Sequence, residues 1–534
     1  MRITTMRFRT TIAAGGLLLF GAAGCADLDI TNPNAPDTEQ ALATAGDVES
    51  LISGAWVSWW RAQANQNGFA LPAHTTALGH SATPANFGMV EFSRIPRQPV
   101  VNDPADAFYS LIQYTYTNHY RAITATRDGL AALDADVTLG ANEPRARAFA
   151  HFVQGLAHGS LALLFDQAFV VDQTTPLTPD GLPDVEPQSH QEVMDAAMGY
   201  FDQALATIAG TGAFMLPEDW MSVEMSSARL TRVIHSYKAR FRASLARTPE
   251  ERSAVDWGAV LSDIESGITE DYNVAHDGFG TRFASHPNVY GNFPGWSQLN
   301  NHIYGMADQS GAYQEWMNTP IDDREPFLYI TPDTRFPQGS TVGEQQQNPG
   351  AHFIVPADPA VAVAYSSTLG DQWTQPGRGT WRWSYYRDYR RDLWLAAGYV
   401  GSLPEIAHRE MRLLAAEAHY RLNNPGQAVS IIDETRTQYG LGTAAANAQC
   451  VPRLPDGSCG GVLEALKWEK RNELRFPGQG WVVYYDTRGW GDLPEGTFLH
   501  LPIPSRELTL LGLPQYTFGG VGGQGAATGG TYGF

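Results

Sequence analysis

The stretch "EIAHREMRLLAAEAHYRLNNPGQAVSIIDETRTQYG" (residues 405–440) decides the fold. Its first half is an Ala-rich helical pattern, "NNPG" (423–426) is a turn signal, and the spacing predicts a second helix beginning with Ala428. Two helices joined by so short a turn lie side by side, and their small residues allow close approach. The rhythm has weak echoes upstream. "QAVSII" (427–432) resembles "QALATI" (203–208), and "GAVLSDIE" (258–265) has the same small-then-aliphatic order.

Further helices follow the same plan. Residues 106–133, 144–166 and 190–210 are helical in period, as are 227–247, followed across a Pro-containing loop by 256–268, and later 460–476. "ATAGDVESLISGAWVSWWRAQ" (43–63) spaces Val48, Leu51, Ile52, Trp56 and Trp59 at helical intervals, which makes its tryptophans scaffold core. The 405–440 pair has the proportions of a tetratricopeptide repeat of about 34 residues. Any one pair could be a generic helical hairpin; several in one chain predict a mainly α scaffold of tetratricopeptide-type helical pairs.

Residues 270–400 differ in character. Gly, Pro, Asn and aromatics dominate in "NVYGNFPGWSQLNN" (288–301) and "DQWTQPGRGTWRWSYYRDY" (371–389). "QSGAYQEWM" (309–317) predicts a short helix, and the alternation of Trp381, Trp383 and Tyr385 in "TWRWSYY" predicts a strand. The expected organisation is a signal at 1–24, a tether at 25–42, helical scaffold at 43–269, a loop-rich variable region at 270–400, scaffold again at 401–515, and a flexible Gly-rich tail at 516–534.

The N-terminus reads as an export signal: Arg2, Arg7 and Arg9, then "TIAAGGLLLFGAAG", then Cys25. Its apolar run is too short to span a membrane, and no longer one follows. "Ala22-Ala23-Gly24-Cys25" resembles a lipobox, with Ala22 where Leu is commoner, so Cys25 is the expected point of lipid attachment. The alternative is an ordinary signal peptide that leaves an incidental thiol. Several acyl chains anchor a protein stably where one holds it only reversibly. In an exported chain, Cys450 and Cys459 flank a turn-rich loop and are expected to form a disulfide.

The net charge of -20 becomes about -23 once residues 1–24 are removed, and excludes a nucleic-acid partner. "YRDYRRD" (386–392) reads as a solvated or salt-bridged strand or loop. The sequence has no G-x-S-x-G, Walker loop, H-E-x-x-H, C-x-x-C or EF-hand loop. "DGFGTR" (277–282) reads as a turn, and His151 and His158 share a helix face with no ligand set to complete a metal site. No cofactor is implied. What remains is binding: flat aromatics edged by amides suit a sugar, and peptides use similar pockets. The candidate platforms are Phe87, Trp296, Trp373, Trp381, Trp383 and Tyr385.

The chain resembles the SusD-like (RagB/SusD) nutrient-binding outer-membrane lipoproteins. The resemblance rests on "CADLDITNPNAPD" (25–37), "GDVESLISGAWVSWW" (46–60), "RARAFAHFVQGLAHGSLALLFDQAFVV" (145–171), "MRLLAAEAHYRLNNPGQAVSIIDETRTQYGL" (411–441), "ALKWEKRNELRFPGQGWVVYYDTRGW" (465–490) and "LPIPSRELTL" (501–510). It implies a non-catalytic, lipid-anchored protein on the outer-membrane surface. Such a protein captures glycan or peptide and acts as the lid of a SusC-like TonB-dependent transporter. Of the family's functional residues only the lipidated cysteine carries over, to Cys25. The competing readings are a secreted glycan hydrolase using an acid pair and an envelope scaffold protein.

Overall fold

Thr44 starts the first helix: its hydroxyl accepts the Asp47 N–H, supplying a cap that the opening turn lacks. From there α1 (Ala45–Ala64) buries Val48, Ile52, Trp56, Trp59 and Trp60. The structure, a computed structural model, describes residues 44–82, 86–178, 184–293, 296–356, 381, 383–530 and 532–534. Cys25, the expected signal, the expected tether and Trp373 lie outside the described residues.

The fold is mainly α. After α1 come α2 (Tyr109–Asp134), α3 (Glu143–Leu164), α4 (His190–Ala209), α5 (Ser227–Ser244) and α6 (Trp257–Glu265). Towards the C-terminus lie α7 (His408–Arg421), α8 (Pro425–Arg436), α9 (Val462–Glu473) and α10 (Trp481–Trp490). Helix α1 packs along α2, α3 along α4, α5 on α6 and α7 on α8; α2 also meets α3, α4 meets α5, and α6 meets α7. These serial contacts are how helical repeats bury a face that none could bury alone. No described helix is long and apolar enough to cross a membrane.

Five details differ from the sequence reading. Helix α8 begins at Pro425 rather than Ala428, because proline's fixed φ and missing N–H suit the first turn. The described residues of "TWRWSYY" form no strand; Asn301 donates to the Trp383 carbonyl, and Leu299 N–H to that of Tyr386. The neighbouring ladder is Arg387–Asp388 against Phe353–Ile354, and "YRDYRRD" is salt-bridged through Arg387–Asp392 and Arg390–Asp388. Helix α10 forms from "WVVYYDTRGW", residues of β propensity, after Gly478, Gln479 and Gly480 turn the chain through positive φ.

The expected boundary at 400/401 cuts a strand. Tyr272–Asp277 (β1) pairs antiparallel with Val400–Ile406 (β2), so the loop-rich region leaves and re-enters the scaffold through one ladder. The expected flexible tail at 516–534 is docked. Val100 N–H donates to the Phe518 carbonyl, Leu499 to Gly525, and Ala527 to Thr497, while buried Tyr532 accepts from Arg471 at 2.8 Å and donates to Glu464. Those bonds supply the order that a glycine-rich composition does not. Cys450 and Cys459 are joined in a disulfide, their Cα atoms 4.7 Å apart.

Candidate functional site

Four segments distant in sequence meet where the loop-rich region lies on the end of α1. Trp60 anchors them: its indole N–H donates to the Ala284 carbonyl at 3.0 Å, and its ring lies 5.8 Å from His276 of β1. Trp56 stacks on Trp60 at 5.1 Å and 14°, and both rings are buried. The short helix His286–Tyr290, capped by the Ser285 hydroxyl, ends in Tyr290, which is half-buried.

Tyr290 is the middle of an aromatic arc. Trp296 stacks on it at 4.7 Å and 29°, and Phe87 lies 5.0 Å from Tyr290 and 6.3 Å from Trp296. All three residues pack on buried Leu71, Ala82 and Met89, and each is partly exposed. A two-residue ladder, Ser81–Ala82 against Ser297–Gln298, ties the flanks of Phe87 and Trp296 together. Phe87 itself has φ 54°, unusual for an aromatic residue.

The polar edge comes from the turn after α1. The Tyr290 hydroxyl donates to Gln66 Oε1 at 2.9 Å, and Asn65 and Asn67 flank that glutamine. Burial, then the adjacent Tyr399, raises the pKa of Tyr290, so its hydroxyl stays protonated. Burial lowers the pKa of His286, whose ring stacks 6.2 Å from Tyr290. Rings and amides are therefore uncharged at neutral pH, an arrangement that can hold a neutral ligand by stacking on its faces and hydrogen-bonding its edges.

Of the expected platforms, Phe87 and Trp296 come together in this arc. Trp381 does not serve as one: it is 7% exposed, edge-on to His302, inside a second core with Tyr329, Phe336, Tyr386 and Trp468. Trp383 and Tyr385, both half-buried, pair with each other at 5.9 Å and 86°. Sequence reading passed over Tyr290 and Gln66. Tyr290 stands six residues before Trp296 in the same aromatic-rich stretch, a detectable signal; Gln66 in "ANQNG" carried none.

His158 has a structural role. Its Nδ1 bonds the Gln154 carbonyl at 2.9 Å, its Nε2 accepts from Val171 N–H at 3.2 Å, and burial lowers its pKa to about 4. Among the described residues no group of three or more His, Cys, Asp or Glu converges as metal ligands.

No protein-family model and no curated protein matches the chain. Solved structures do resemble it. It is similar to a SusD-like carbohydrate binding protein from Bacteroides vulgatus, with a TM-score of 0.48 and 15% identity over 84% of each chain. It is similar also to a SusD-like protein from Bacteroides fragilis (TM-score 0.49, 13% identity, 85% of this chain and 87% of that one). A surface glycan-binding protein A from Bacteroides uniformis resembles it at TM-score 0.49 and 14% identity, over 86% of this chain and 97% of its own.

Proposed function

We propose that this protein is a SusD-like cell-surface binding protein that captures a neutral oligosaccharide on the Phe87–Tyr290–Trp296 arc and does not alter it chemically. The observation that carries this reading is the cluster of three partly exposed rings edged by the Gln66 turn. A pyranose offers an apolar C–H face to such rings and hydroxyls to the amides around them. A peptide chain offers no repeated flat face of that kind, so sugar is the better match.

Anchoring and partnership rest on the sequence motifs. The lipobox-like residues before Cys25 support acylation there, and the matches over 411–441 and 465–490 support delivery to a SusC-like TonB-dependent transporter beneath this protein as its lid. Two or three acyl chains on Cys25 would hold it stably at the outer membrane.

The decisive measurement is calorimetric binding of oligosaccharides and oligopeptides to the full chain purified in detergent, with the ligand analysed afterwards. Binding without turnover is expected, and Trp296→Ala should weaken it at least about tenfold, the order of one lost stacking contact. Sustained product formation would instead establish a glycan hydrolase. Binding of peptides alone would reassign the ligand, and a globomycin-insensitive, unacylated product would remove the anchor.

A further inference from the structure

The stretch "RFPGQGW" (475–481) lies within one of the motifs that carry the family resemblance, yet it supplies none of the arc's rings. Its chain runs through positive φ at three successive residues, Gly478 (60°), Gln479 (58°) and Gly480 (84°). Glycine takes that conformation freely, whereas the Cβ of a glutamine strains it. Such strain persists only where the surroundings impose it, and it collects at functional sites. A third glycine would avoid it; what Gln479 adds is its amide.

That amide is buried and both of its ends are used. Its Oε1 accepts from the Ser285 hydroxyl and, at 3.4 Å, from Asn288 Nδ2, while its Nε2 donates to Glu405 Oε2 at 3.1 Å. The other Glu405 oxygen accepts from Arg240 Nη1 at 3.3 Å and from the Tyr237 hydroxyl at 3.4 Å. Arg240 in turn donates twice to Glu410, each time at 2.7 Å. One side chain thus joins the helix His286–Tyr290 to an ion pair between α5 and α7.

A five-residue helix closes too few hydrogen bonds to hold itself, so its ties to other segments set its direction. Ser285 is its cap, accepting from Asn288 N–H at 3.4 Å and from Asn288 Nδ2 at 2.9 Å, and Tyr290 is its last residue. The same stretch supports the site twice more. The Phe476 ring packs so closely on Gly291 that a Cβ there would overlap it, and the Trp481 indole donates at 3.2 Å to the carbonyl of Gln63, three residues before Gln66.

We propose that Gln479 is a positioning residue of the site: by joining Ser285 and Asn288 to Glu405 it fixes the helix that carries Tyr290, and ligand affinity at the arc depends on it. The affinity part rests on the proposed sugar-binding reading; the fixing of Tyr290 does not.

The test combines calorimetry of the full chain in detergent, against α- and β-linked gluco-, manno- and xylo-oligosaccharides, with hydrogen exchange at the Val289, Tyr290 and Gly291 amides. Gln479→Met keeps the length and removes the amide. It should weaken the sugar that wild type binds about tenfold and speed exchange at those three amides by a similar factor, with α2 unchanged. Gln479→Glu sets two carboxylates against each other and should weaken binding as much. Adding Glu405→Gln to it reverses donor and acceptor, restores every bond of the chain, and should restore the affinity. Ser285→Ala cuts the link from the helix side and should give the same loss, which keeps the test open where Gln479→Met does not fold. Wild-type affinity in folded Gln479→Met overturns the proposal, as does a double variant that stays as weak as Gln479→Glu. If wild type binds no sugar of the panel, the sugar-binding reading falls and exchange alone decides: faster exchange at the three amides upholds Gln479 as the residue that sets Tyr290, and unchanged exchange overturns that too.

Discussion

Glu417 of α7 is wholly buried, and its carboxylate accepts from Arg252 at 2.9 and 2.7 Å and from the Trp490 indole at 3.0 Å, with Lys470 3.6 Å away. Burial alone would favour the neutral acid; Arg252, Lys470 and Arg421 outweigh it and hold the carboxyl well below its usual range. Asp486 of α10 pairs with both cations, so one cluster joins α7, α9, α10 and the segment carrying Arg252. Glu417→Ala leaves two buried cations with a single carboxylate between them. It should cost about 3–5 kcal/mol, read as a lower urea midpoint. Nothing in the sequence marks Glu417 among 56 acidic residues, because burial and pairing are made by helices from elsewhere in the chain.

Helices were largely legible from the spacing of apolar residues, since the 3.6-residue period records which face will be covered. How closely two faces meet is not recorded there. Gly155 and Gly159 of α3 lie against Phe201 of α4 and Phe241 of α5; a Cβ on Gly155 would fall 2.5 Å from the Phe201 ring, and one on Gly159 would overlap Phe241. Helix propensity favours alanine over glycine by about 1 kcal/mol, but here the clash decides the sign. Gly159→Ala should destabilise by about 1–3 kcal/mol. Gly54→Ala in α1, where a Cβ meets nothing within 4 Å, should stabilise by up to about 1 kcal/mol. Thermal midpoints of the two variants should therefore move in opposite directions. Helix α10 escaped the sequence reading because tertiary contacts override its β propensity. All ten of its residues are buried, and Arg488 donates to the Leu163 and Ser244 carbonyls at the C-terminal ends of α3 and α5.

Across the whole molecule, burial holds many imidazoles neutral. It lowers His80, His119 and His302 each to about 3, with the nearby Arg475, His158 and Arg324 adding to the respective shifts. In the unfolded chain these groups titrate near 6.5, so the unfolded state binds more protons once pH falls below that value. The stabilisation is complete above about pH 6.5 and declines as pH falls towards 3, by about 2 kcal/mol per imidazole at pH 5. Carboxylates held low by arginine, such as Asp388 and Glu417, retain their contribution until below about pH 4. Urea midpoints should accordingly fall steeply from pH 7 to pH 5, before the carboxylates titrate. A flat profile across that interval would contradict the burial of these histidines.

The sequence by itself determined the helical pairs, the aromatic character of residues 270–400 and two rings of the arc, Phe87 and Trp296, because periodicity and composition are local properties. Only the tertiary structure decided that Trp381 is core, that the glycine-rich C-terminus is docked, and that Tyr290, bonded to Gln66, packs between Phe87 and Trp296. Those outcomes depend on which distant segments supply neighbours and hydrogen-bond partners. A residue's own surroundings in sequence do not contain that information.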